Sequence, residues 1–420
     1  MIRLHTPVTR TLGALALVGL MLTPVTAGEP LAKKIAETKS PHWQRIETWE
    51  LTSKEIREET WHELTKLDEK DIVAGFGGDT TPPVRRFLLH VQKPEEVVVE
   101  GKASRDTSVP VLLVHGAMVN ATVSWADGAY HTPGRTGLAI RLARLGYRVF
   151  AITFAHSHGD NDTQAEQLAA AIDRVRELTK APKVDVIAHS KGTHSARLYA
   201  SSVRVGLRKF TKYRGDIRRL VLIGGPLGGL DINFAYPNLN YLIIGEKHNA
   251  PVCWTRAMVN YVWKDMGELC MVGPKTSFRG QSQLLARWDH VYGLIRIKGQ
   301  FDIPTTYKGG AGMVTISPGI DKAIAEGGHM VAKLAKAGVD KDIEVALLAG
   351  SYFHVIGYLG ERRGPSDGVL LVRSALMKEA VTARGAKVIR SSALALNHLE
   401  LTYDDWAVKW IDEVLVHSSN

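Results

Sequence analysis

The residues best suited to chemistry are the run Ala188-His189-Ser190-Lys191-Gly192. A serine with Ala two residues before it and Gly two after can occupy a turn too tight for larger side chains. Such a turn lifts the hydroxyl clear as a nucleophile. A helix beginning just beyond it aims its amide dipoles at developing negative charge. A second piece is His115-Gly116-Ala117-Met118. Gly116 lets the backbone swing so that the Ala117 amide, together with the Lys191 amide, forms an oxyanion hole. Losing one such donor costs roughly 3 kcal/mol of transition-state stabilisation. The Lys191 side chain points away from the serine on a turn of this kind, so its amide is the useful part. His189, beside the nucleophile, reads as a packing residue. A serine hydroxyl is a weak nucleophile until a base takes its proton, and the base needs a carboxylate to orient it.

These pieces need a scaffold, and the hydrophobic pattern supplies one. Residues 110–114, 147–154, 183–188 and 219–223 are short apolar runs of the kind that form buried parallel strands. The third runs straight into Ser190 and a helical stretch. Residues 84–91 read as a strand, with 43–51 as its partner. Thr163-Gln-Ala-Glu166 has the form of a capping box, with Leu168, Ile172 and Val175 on one helix face. The rhythm breaks over residues 231–316, which hold both cysteines and 11 of the 30 aromatics. It resumes with Ser317-Pro318 as a helix start, a helix ending near Gly338, strands at 343–349 and 386–389, and a closing helix carrying Trp406, Trp410, Ile411 and Val414 on one side. Alternating strands and helices predict an α/β fold with a mostly parallel sheet covered on both faces. The expected organisation is a leader over 1–27, an amino-terminal extension over 28–83, core over 84–230, an inserted cap or lid over 231–316, and core again over 317–420.

Val-His-Gly, Ala-His-Ser-x-Gly and Gly224-Gly225-Pro226 after the next strand resemble the bacterial secreted lipases and esterases of the α/β-hydrolase superfamily. The resemblance covers roughly residues 105–230 and 340–415 and is silent about the insertion. It implies the chain order serine, acid, histidine. His398 in Asn397-His398-Leu399-Glu400 stands where that family carries its histidine, and Asp367 in Ser366-Asp367-Gly368 is similar to its acid motif. Asp231 and Asp404 remain as substitute acids, and His354, His329 and His417 as substitute bases. His156 and His158 precede the serine and suit a substrate loop or a solvated position. Lipases of this kind often bind calcium through an Asp two residues after the histidine; here that position is Glu400, so no metal is assigned. No His/Asp/Glu cluster has metal-ligand spacing, and no cofactor is expected.

At 420 residues, 45% hydrophobic and 23% charged, the chain is globular rather than disordered or repetitive. Its net charge of +10 is scattered, without the aromatic-interleaved stripe of a nucleic-acid binder; it favours anionic surfaces. Arg3 and Arg10, an 11-residue apolar run from Leu12 to Leu22, and Val25-Thr26-Ala27 have the form of a cleaved signal peptide. Export to the periplasm or beyond is therefore expected. In that compartment Cys253 and Cys270 are expected to pair, a bridge worth roughly 3 kcal/mol. The insertion's aromatics, Trp254, Tyr261, Trp263, Phe278, Trp288 and Tyr292 among them, would suit an acyl pocket or form a core of their own. The expected function is hydrolysis of a small or lipid-like carboxylic ester through an acyl-enzyme, with transient lipid-surface contact. The alternatives are an acyltransferase or extracellular polyester depolymerase on the same triad, or a non-catalytic binding protein.

Overall fold

Runs of four to seven apolar residues bury both of their faces only when flanked by strands and covered above and below. In a computed structural model, which describes residues 30–95, 107–126, 134–237, 251–295, 302–355 and 358–417, they do so. The expected leader lies outside the described residues. The strands in chain order are β1 (Ala32–Thr38), β2 (Arg45–Leu51), β3 (Arg86–Val91), β4 (Val111–Val114), β5 (Val149–Phe154), β6 (Val184–His189) and β7 (Ile217–Ile223). Then come β8 (Arg256–Val259), β9 (Val262–Asp265), β10 (Gly310–Ala311), β11 (Thr315–Ser317), β12 (Glu344–Gly350), β13 (His354–Val355), β14 (Tyr358–Leu359) and β15 (Lys387–Leu394).

Nine of them form one sheet in the order β1-β2-β3-β5-β4-β6-β7-β12-β15. From β5 to β15 every pairing is parallel, while β1, β2 and β3 join antiparallel at the other end. This strand order, with the Ser190 turn after a central strand, is the α/β-hydrolase fold. The segment read as an amino-terminal extension supplies β1 and β2; residues 43–51 pair with β3 as expected, and β1 had no clear signal because most of its residues are exposed.

Alternation within each strand divides the core in two. Leu112, Val114, Leu220, Leu222, Val345 and Leu347 face the helices Asn161–Thr179, Gly192–Ser201 and Met330–Ala337. Val111, Leu113, Val221, Ile223, Ala346 and Leu348 face the helices Leu138–Arg144 and Asp405–Leu415. Each such fully buried Val or Leu contributes about 1.5–3 kcal/mol relative to exposure.

Three local expectations change. The long helix starts at Asn161, capped by the Asp160 carboxylate, which accepts from the Asp162 amide. Glu166, the expected closing residue of a capping box, instead pairs with Arg204 and accepts from Thr211. The helix expected from Ser317 is two helices, Ile320–Glu326 and Met330–Ala337, broken at Gly327-Gly328-His329, where Gly328 and His329 have positive φ. Ser317 ends β11, with its hydroxyl between the carbonyls of Cys253 and Thr306, at 2.9 and 2.8 Å, which share its one proton. Trp406 in the last helix is exposed, while Trp410, Ile411 and Val414 are buried.

The insertion carries most of a third apolar cluster, centred on Phe234, Trp254, Phe278 and Tyr307, which Ile320 joins from the helix that follows. A second sheet, β10-β11-β8-β9, is built on it.

Candidate active site

Four turns, after β4, β6, β12 and β15, meet at the carboxyl ends of the parallel strands. Ser190 follows β6 with φ +53°, a left-handed conformation that a non-glycine residue adopts only when its surroundings hold it there. Its amide donates to the Ile223 carbonyl at 3.0 Å, which fixes the turn. The loop after β4 presses against this turn. A Cβ on Gly116 would lie 2.7 Å from Ser190 Cβ, and one on Gly192 would lie 2.4 Å from the His115 carbonyl, so both approaches require glycine. The His115 ring pins the same loop: Nδ1–H donates to the Gly116 carbonyl at 2.7 Å and Nε2 accepts from the Phe154 amide at 3.2 Å. Burial pushes this ring down to about 4, so it is neutral.

Past β15, His398 enters the site beside Asp367, which lies in the loop that follows β12 and the β13–β14 hairpin. His398 Nδ1 is 2.7 Å from Asp367 Oδ2, and His398 Nε2 is 2.9 Å from Ser190 Oγ. Because the carboxylate accepts, Nδ1 carries the proton and Nε2 is free to accept from the hydroxyl. Asp367 and His398 are both buried. The other carboxylate oxygen of Asp367 accepts from the amides of Val369 and Leu370, at 2.9 and 2.7 Å. The histidine is held three ways. Its amide donates to the Asp367 carbonyl, its carbonyl accepts from His189 Nε2 at 3.0 Å, and its turn is closed by Asn397 and Glu400. Asn397 Oδ1 accepts from the Leu399 and Glu400 amides while the Glu400 carboxylate accepts from the Asn397 amide, a reciprocal cap. Glu400 is thus a brace for the histidine. Among the described residues no group of three or more His, Cys, Asp or Glu side chains could hold a metal ion. Burial, and next to it the charge of His398, lower the affinity of His189 for a proton, so it packs as a neutral ring.

The backbone amides of Ala117 and Lys191 have no acceptor within the protein among the described residues. Met118, next to Ala117, has φ +67° and an exposed side chain. The Lys191 side chain runs the opposite way and is buried, with Nζ donating to Gln164 Oε1 at 2.5 Å. Burial pushes its ammonium down to about 7 against the opposing pull of Glu59 and Asp160. Glu59 is raised to about 7, first by burial and then by the neighbouring Asp160. The Asp160 amide donates to Glu59 at 2.9 Å, and Arg279 pairs with Asp160. This buried polar pocket beside the Ser190 turn gave no sequence signal, because its members come from residue 59, the start of a helix and the insertion. His156 and His158 belong to it and are buried, contrary to a solvated or substrate-loop position.

The substitute residues lie elsewhere. Asp231 pairs with Arg363 and accepts from Tyr307 Oη at 2.7 Å; Asp404 caps the last helix through the Trp406 amide. Among the described contacts neither acid meets His398. His354 lies on β13, His329 starts a helix, and the His417 carbonyl accepts from Arg219.

The expected Cys253–Cys270 bridge is not formed: no disulfide joins the two, and both side chains are buried. Val252, not Cys253, stands opposite Cys270 across a parallel bridge. The insertion's Trp254 and Phe278 are buried in its apolar cluster, and Trp288 is buried with its Nε1–H donating to the Gly229 carbonyl, while Tyr261 and Trp263 face outward.

Residues 108–205, from the entry of β4 through the nucleophile turn and the following helix, match the family model described as Lipase (class 2). Similar solved structures include the product of gene lin2722 from Listeria innocua, at 15% identity and TM-score 0.39, covering 74% of this chain and 95% of that one. The mature form of the Bacillus licheniformis lipase BlEst2 is similar at 12% identity and TM-score 0.40, with coverage of 79% and 98%. A highly thermostable carboxyl esterase from Bacillus coagulans is similar at 14% identity and TM-score 0.38, with coverage of 79% and 92%. The matched segment carries the serine turn and the loop packed against it, so this part of the chain is similar to the class 2 lipases, set in a chain whose strand order is that of the α/β-hydrolase fold.

Proposed function

We propose that the protein is an exported serine hydrolase that cleaves carboxylic esters through an acyl-enzyme. The unbroken hydrogen-bonded line from Ser190 Oγ through the His398 ring to Asp367 carries this reading. His398 Nε2 takes the serine proton as Oγ attacks the ester carbonyl, and Asp367 stabilises the imidazolium that results. The amides of Ala117 and Lys191 receive the oxyanion, consistent with their lack of any acceptor in the protein among the described residues. His398 then returns the proton to the leaving alcohol. Water, activated by the same ring, attacks the acyl-enzyme and releases the acid. Export rests on the basic, apolar and small-residue succession over residues 1–27, and sequencing the amino terminus of the exported protein tests it: a start at Gly28 is expected.

The test of the chemistry is a panel of para-nitrophenyl esters of rising acyl length on wild type and Ser190→Ala. The variant should lose kcat by a factor on the order of 10^5–10^6. A variant that keeps its activity would place the nucleophile elsewhere and overturn the triad.

A further inference from the structure

Four of the nine exposed large hydrophobic residues among those described fall at one end of the insertion's small sheet: Tyr261, Val262, Trp263 and Met313. The strands β8 and β9 are joined by Asn260-Tyr261, and both residues have positive φ, 52° and 63°. That is the backbone of a two-residue hairpin turn whose second position favours glycine. Here it holds a tyrosine that is 97% exposed. Met313 reaches the same end because β11 pairs with β8, and the Met258 amide donates to the Val314 carbonyl. Its loop is held rigid by Asp302, whose carboxylate accepts from the amides of Met313 and Val314 and from the Thr315 hydroxyl. The side chain nonetheless stands 68% exposed. Two separately built turns thus present apolar groups to water side by side.

The charges around this tip are basic and uncommitted. Arg256 lies over the Trp263 ring at 5.6 Å and has no carboxylate partner among the described residues, although Asp265 stands opposite it across the ladder. The Asp265 carboxylate accepts instead from the Gly267 amide. Lys264 is exposed and likewise unpaired among the described residues. Trp and Tyr flanked by Lys and Arg are the composition of a lipid interface, where rings sit at headgroup level and cations meet anionic lipid. A protein partner fits less well. Four side chains on a convex tip offer about 600 Å² at most, below the roughly 800 Å² per partner of a stable interface.

We propose that the hairpin tip Val259–Trp263, with Met313 beside it, is a docking site for a lipid surface bearing anionic headgroups. The site is separate from the Ser190 line and does not depend on it.

The test is sedimentation of the full chain with vesicles of ether-linked phosphatidylcholine, alone or with ether-linked phosphatidylglycerol, lipids that have no acyl ester to cleave. Wild type should bind, more tightly when phosphatidylglycerol is present. The triple variant Tyr261→Gly, Trp263→Ser, Met313→Ser should bind at least about tenfold less. Because Tyr261→Gly relieves a strained position, an unchanged or raised Tm will separate lost docking from lost folding. Arg256→Gln with Lys264→Gln should weaken binding to the phosphatidylglycerol vesicles by about fivefold per charge, while binding to phosphatidylcholine stays the same. Wild type that fails to sediment with either vesicle, or a triple variant that binds as well as wild type, overturns the proposal. Self-association without vesicles that the triple variant abolishes also overturns it, by making the tip a contact between copies. Hydrolysis of para-nitrophenyl acetate by the tip variants should match wild type. An inactive wild type would count against the proposed ester hydrolysis and leave the vesicle result to stand by itself.

Discussion

The great sheet and the insertion solve the problem of burial differently. In the sheet, strands alternate between two apolar clusters, and every turn at one end of it is shaped by close backbone approach. The insertion buries a few large rings around Trp254 and Tyr307, and its strand β11 hangs on a polar brace, Asp302. The two meet through charge. Arg363, in the loop that leads to Asp367, pairs with both Glu361 and the insertion's Asp231, and these partners hold its proton more tightly than burial loosens it. The contrast teaches that positional accuracy here belongs to the sheet's end, while the insertion contributes bulk and outward-facing groups.

The comparison can be broken most sharply at Asp367. Asp367→Asn keeps an oxygen for the amides of Val369 and Leu370 but offers an amide group to His398. Activity on a short soluble ester should fall on the order of 10^4-fold with little change in Tm. A small kinetic effect would mean that the sheet's end does not set the geometry. Trp254→Ala removes a fully buried ring and its 3.1 Å hydrogen bond to Thr306, and should cost about 3–5 kcal/mol in denaturant unfolding. The folded variant should still hydrolyse the short ester; activity lost along with stability would erase the distinction between the regions.

Lys191 sharpens the picture under the serine turn. Its native proton is lost near pH 7, whereas the unfolded chain keeps it to about 10.5. Between those values the unfolded state binds more protons, so native stability rises with pH there. Melting curves of wild type against Lys191→Met should show wild type gaining on the variant from pH 7 to pH 10. A flat difference would mean that the ammonium is not buried as described. The smallest effect concerns the cysteines. Burial pushes the Cys270 thiol up to about 12, so both thiols should resist a maleimide in the native state and react in denaturant. Dithiothreitol should leave Tm unchanged; a fall in Tm would reveal a bridge.

Most of the sheet was legible because buried parallel strands are short unbroken apolar runs, and Ser190 stood out because its turn tolerates only small neighbours. Asp367 and His398 were legible through motif and chain order, but their meeting depends on a fold that local spacing does not encode. The cap between Asn397 and Glu400 went unread, because Glu400 was weighed only as a departure from a calcium-binding Asp. Glu59 could not be found, since nothing around residue 59 points toward a lysine 132 positions later. The cysteines misled because compartment chemistry says that a bridge is allowed, not which way two side chains face. Glu166 misled because its partner Arg204 outcompeted a local cap.

The pairing of β7 with β12 joins residues 219–223 to residues 344–348, across a stretch that includes the whole insertion. Non-local pairing of this kind is slow to form, because the intervening chain must close before any contact rewards it. The insertion shortens that search. Leu230 bridges to Leu285, and Tyr307 bonds back to Asp231, so its own core draws the two ends toward each other. During synthesis, Ser190 and the strands on either side of it are complete long before Asp367 and His398 exist. Under the proposed mechanism, a growing chain therefore holds an oriented hydroxyl with no base to activate it, and hydrolysis is the last property it acquires.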